Sequence, residues 1–60
     1  MQKNPDKHKI NEAIETFGPM AVELALALVA ISDPDGAYTH LEDMGEYEAA
    51  EAVGFLYFPD

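Results

Sequence analysis

The chain has no cysteine. Disulfides are excluded as a source of stability, and the absence points to a reducing, intracellular setting. Basic residues are almost as scarce. Lys3, Lys7 and Lys9 are the only lysines, and no arginine occurs anywhere. After Lys9, only His40 can carry positive charge. A membrane-length apolar run is also missing. Met20 to Ile31 is apolar except for Glu23, but these twelve residues fall short of the roughly 20 that span a bilayer. A lysine-bearing start before an apolar run partly matches a secretory signal, but Asp6, Glu12, Glu15 and Gly18-Pro19 interrupt it. The expectation is a soluble, cytoplasmic protein.

Groups suited to chemistry are few. His8, His40, Ser32, Thr16, Thr39 and the tyrosines are the whole roster of imidazoles and hydroxyls. His8 lies in a lysine-rich first turn, where solvation is its ordinary fate, and no glycine loop suits a phosphate. Asp33, Asp35 and His40 are ligand types for a metal. However, Asp-Pro-Asp-Gly is also what a turn demands, and the calcium-loop pattern fails at Ala37. A chain of sixty residues also lacks walls for a water-excluded cavity of the usual few hundred cubic ångströms. No enzyme, metal or cofactor is expected.

What the chain does have is acid. Its formal net charge is −9, and eleven of its twelve acidic residues follow Ile10. Salt bridges within the chain cannot neutralise them. Such a field repels phosphate backbones and anionic membranes, which disfavours direct nucleic-acid or membrane binding, and it attracts basic surfaces. The same acid also serves simple solubility. With 48% apolar residues, wholesale disorder is not expected. A domain of this size buries only about 60% of its unfolded surface, so association, as a homodimer or with another partner, is a natural expectation.

The pattern is that of one all-α domain over 1–60, a small three- to four-helix domain, with residues 1–3 loose. Asn4-Pro5 can open a first helix over 5–17, with Ile10, Ala13, Ile14 and Phe17 at helical spacing. Gly18-Pro19 ends it and starts a second over 19–31. That helix is apolar nearly all round, leaving a strip at Glu23, Ala27 and Ala30 for water. Ser32-Asp33-Pro34-Asp35-Gly36 reads as a turn. Thr39 and Glu42 have capping-box spacing, which predicts a short helix at 40–44 ended by Gly45. A last helix over 46–57 places Tyr47, Ala50, Val53, Gly54 and Tyr57 on its core side. Glu48, Glu51 and Phe55 share the other. Phe55-Leu56-Tyr57-Phe58 would also suit a short strand.

Gly45-Glu46-Tyr47-Glu48-Ala49-Ala50 resembles the Gly-x-Tyr-x-x-Ala opening of the second helix of a tetratricopeptide repeat. The likeness covers six residues and breaks at Gly54, where a bulky aromatic is usual, so no repeat function is carried over. In length, lack of cysteine and unneutralised acid, the chain is similar in profile to phage-encoded inhibitors of CRISPR and restriction systems, several of which mimic nucleic-acid charge. That likeness implies a small acidic inhibitor occluding a basic, nucleic-acid-binding site on a larger protein such as a nuclease. The candidate partner-binding residues are Glu42, Asp43, Glu46, Glu48, Glu51, Phe55 and Phe58, with Phe55 as an apolar anchor among carboxylates. The alternative is a self-assembling structural or adaptor subunit with an apolar dimer interface. An antitoxin-like regulator shares the inhibitor's sequence profile.

Overall fold

The computed structural model describes residues 5–58. The expected loose segment 1–3 and the proposed cap Asn4 lie outside them. The described residues form a small all-α domain of four helices: α1 (Lys7–Phe17), α2 (Pro19–Ile31), α3 (Pro34–Met44) and α4 (Tyr47–Tyr57). Phe55-Leu56-Tyr57 is helical, not a strand. The helices α2 and α4 pack on each other, and α1 and α3 each pack on both of them without meeting.

Each boundary has a local cause. The first helix starts later than the expected position 5, because the Asp6 side chain accepts from the Lys9 N–H at 2.8 Å and so caps it. At Gly18 the backbone takes φ 95° and ψ 151°, a region essentially reserved for glycine. Its N–H donates to Ile14 at 2.8 Å, closing α1, and Pro19 then fits the first position of α2. The limits of α2 are those expected from sequence.

The third helix corrects the sequence reading. Residues 32–36 are not a separate turn before a short helix at 40–44. Asp33 is the N-cap, accepting from the Gly36 N–H at 2.7 Å, and Pro34 occupies the first turn. Thr39 consequently falls mid-helix, where there is no orphan donor for it to satisfy, and the Thr39–Glu42 capping box is not used. We predict that Asp33→Ala costs about 1 kcal/mol of stability, whereas Thr39→Ala changes it by only a few tenths or slightly raises it. Thermal melts of the two variants check this; the reverse ranking would place the helix start at position 40.

At the far end of α3, Gly45 (φ 82°) adopts the left-handed conformation. The Glu46 N–H donates to Leu41 at 2.9 Å and the Gly45 N–H to Glu42 at 3.1 Å. This pair of bonds is a Schellman closure. It turns the chain directly into α4.

Alanine dominates the core. Six of its ten buried apolar residues are Ala13, Ala25, Ala37, Ala49, Ala50 and Ala52; Val22, Leu41, Val53 and Leu56 complete it. Small side chains let the four helices approach closely, so backbone surface as well as side-chain bulk is removed from water. No polar or charged side chain is buried among the described residues.

Candidate protein-binding surface

Eleven of the twelve acidic residues lie within the described part of the chain, and every one of them is exposed. The only approach of a basic nitrogen to a carboxylate within salt-bridge distance among the described residues is that of His8 Nε2 to Glu12, at 4.0 Å on the surface. Lys9 is turned inward, its ammonium 4.3 Å from the centre of the Phe55 ring. Among the described residues, no lysine forms a salt bridge with the acid downstream of α1.

Part of this acid is placed against the fold's electrostatic interest. Glu42 and Asp43 lie in the last turn of α3, at the negative end of its dipole, and no helix carries a basic residue in its last turn. Across the Gly45 turn, Glu46 occupies the N-cap of α4 without making a side-chain cap bond, and Glu48 follows in the first turn. Glu51 is exposed one turn further along. These five carboxylates are on the surface, as the sequence suggested.

The two phenylalanines are placed differently. Phe55, expected outward, is half-buried and meets Phe17 edge-on, with ring centroids 5.9 Å apart. Tyr47, expected on the core side, is 64% exposed. The buried stripe of α4 is Ala49, Ala52, Val53 and Leu56 with Ala50, about a quarter turn from the expected one. The reason is that α4 packs on α1, α2 and α3 at once, and the face it turns to them is mostly alanine. Phe58 is 38% exposed, with its ring edge-on to Tyr38 at 5.9 Å. Tyr57 is half-buried, and desolvation pushes its phenol above the ordinary range, so it adds no negative charge at neutral pH.

The sequence did not reveal a groove of about 480 Å³ between α2 and the start of α4. Met20, Ala21, Leu24, Ala27 and Ala49 give it apolar walls. Its charged lining is Glu23, Glu46 and Glu48, all carboxylates. The signal for it was the all-round apolar character of α2: three neighbours cover Val22 and Ala25 but leave Met20 83% and Ile31 80% exposed. The expected water-facing strip of Glu23, Ala27 and Ala30 is exposed. At Asp33, Asp35 and His40 the Asp33 carboxylate is engaged in capping, and no metal-type cluster of three side chains forms among the described residues. No described helix is long and apolar enough to cross a membrane.

The chain matches no protein-family model, no curated protein and no solved structure.

Proposed function

We propose that this chain is an acidic protein-binding inhibitor that occupies a basic, nucleic-acid-binding site on a larger protein. One observation carries the reading: among the described residues the carboxylates are exposed and none pairs with a lysine, and Glu42 and Asp43 stand at the negative end of the α3 dipole, where a carboxylate is disfavoured. Acid kept only for stability would sit at helix N-termini instead. Carboxylates along helices can take the place of phosphates on lysine and arginine, and a guanidinium binds either in the same bidentate way. The profile shared with phage-encoded anti-CRISPR and anti-restriction proteins agrees with this, with a nuclease or nucleic-acid-binding complex as target.

A second reading, a self-assembling subunit or homodimer, draws on the exposed Met20 and Ile31. Salt separates the two, since a charge-guided complex weakens steeply between about 50 and 500 mM salt and an apolar dimer does not.

The test uses the protein captured from host lysate on the immobilised chain, its affinity then measured with purified components. Glu42→Lys with Asp43→Lys is expected to raise the stability of the chain by about 0.3–1 kcal/mol per site, because cations suit a helix C-terminus. The same pair should weaken partner binding and flatten its salt dependence. Added nucleic acid should compete. A captured partner whose binding ignores salt, charge reversal and nucleic acid would overturn the reading.

A further inference from the structure

We infer that the groove between α2 and the start of α4 receives an apolar side chain of the partner, presented on a basic segment with lysine or arginine on either side of it. This rests on the reading above and makes it specific: the chain supplies the socket, and the partner supplies the anchor.

Three observations support that direction. First, the chain's own candidate anchor is already engaged. Phe55 lies against Phe17 and beneath the Lys9 ammonium, so it cannot enter a partner without opening the α1–α4 contact. Second, the groove has the size and chemistry of a receptor. At about 480 Å³ it is large enough for a bulky side chain and its neighbours, and Met20, 83% exposed, offers an unbranched wall that can adapt its shape. Third, charge selects the occupant. Every charged residue lining the groove is a glutamate: Glu23 from α2, Glu46 and Glu48 from α4. An apolar group flanked by cations satisfies walls and carboxylates together.

The same charges argue against a second copy of this chain. A twofold contact through the groove would set Glu23, Glu46 and Glu48 against their own counterparts. Of the described lysines, Lys7 and Lys9 both lie on α1, away from the groove lining. The smaller groove lined by Ile10, Ile14, Pro19 and Leu26, of about 280 Å³, carries only Glu23 and has no comparable selectivity.

The experiment titrates the full chain, isotopically labelled for NMR, with three synthetic peptides. The first is a lysine-rich helix with one central leucine. The second replaces that leucine with alanine, and the third is oligolysine of equal charge. The leucine peptide is expected to bind roughly tenfold tighter than the alanine peptide. Its shifts should centre on the methyl groups of Met20, Ala27 and Ala49. Ala27→Phe, at an exposed position where added bulk fills the groove and leaves the core alone, should abolish the leucine preference; Met20→Ala should reduce it. Both variants should keep the wild-type melting temperature and oligolysine affinity. Equal affinities for leucine and alanine peptides, or shifts centred elsewhere, overturn the groove while leaving the acidic reading in place. If none of the three peptides binds, the acidic reading falls as well. Sedimentation of the chain alone as a dimer that Ala27→Phe dissociates would assign the groove to a second copy and overturn the proposal.

Discussion

Leu41→Ala is expected to remove about half of the folding stability of the chain and to lower its melting temperature sharply. Leu41 is 0% exposed and is the largest fully buried side chain, in a core otherwise built mainly of alanine and valine. It stands on α3, which packs on both α2 and α4. A buried leucine truncated to alanine costs about 2–5 kcal/mol. For sixty residues, at about 0.05–0.15 kcal/mol per residue, the entire stability is roughly 3–9 kcal/mol. One substitution can therefore remove half of it. At roughly 4–8 °C per kcal/mol for a domain of this size, the melting temperature should fall by roughly 8 °C or more. Ile31→Ala, at a side chain 80% exposed, serves as the control and should stay within about 0.5 kcal/mol. Circular dichroism melts check both. Similar melting temperatures for the two variants would mean that Leu41 is not the centre of the core.

The contrast between these leucine and isoleucine positions shows how much of the fold was legible in the residues. Strong local signals mark their elements plainly: Gly18-Pro19 divides α1 from α2, Gly45 ends α3, and α2 runs from Pro19 to Ile31. Each of these rests on chemistry within a few residues. Asp33-Pro34 was ambiguous because the same dipeptide that makes a turn also makes an N-cap followed by a first-turn proline. Tertiary packing favours the cap, since Pro34, Ala37 and Leu41 are buried along one face of the helix that begins after Asp33.

The candidate site divides the same way. Exposure of Glu42, Asp43, Glu46, Glu48 and Glu51 follows from charge alone, because an unpaired carboxylate is too costly to bury. The groove does not follow from any local pattern. Its walls join Met20–Ala27 to Glu46–Ala49, and only the packing of α2 on α4 brings them together. The phase of α4 was likewise hidden, because alanines carry too little hydrophobic contrast to mark a face. Large aromatics at Tyr47 and Tyr57 suggested a stripe. The observed one is centred on Ala49, Ala52, Val53 and Leu56.

That phase has its own consequence for stability. Phe55→Ala is expected to lower it by about 2–3 kcal/mol, below the roughly 3–5 kcal/mol of a fully buried phenylalanine because Phe55 is only half-buried. The loss has identifiable parts: the edge-to-face contact with Phe17, at 5.9 Å and 64°, and the Lys9 ammonium 4.3 Å from the ring centre. Both join α1 to α4, so the first helix should loosen before the rest. Amide hydrogen exchange should show this as faster exchange in Lys7–Phe17 than in α2. A double-mutant cycle of Phe17→Ala and Phe55→Ala should return a coupling of about 0.5–1.5 kcal/mol. Tyr47→Ala, at 64% exposure, should leave the melting temperature within a few degrees, since surface truncations stay within about 0.5 kcal/mol. Any loss of partner binding in Phe55→Ala should vanish once the unfolded fraction is corrected for, because the Phe55 ring is engaged within the fold by Phe17 and Lys9. If Tyr47→Ala melts the chain as far as Phe55→Ala does, then Tyr47 belongs to the core, and α4 is rotated from the phase described for it.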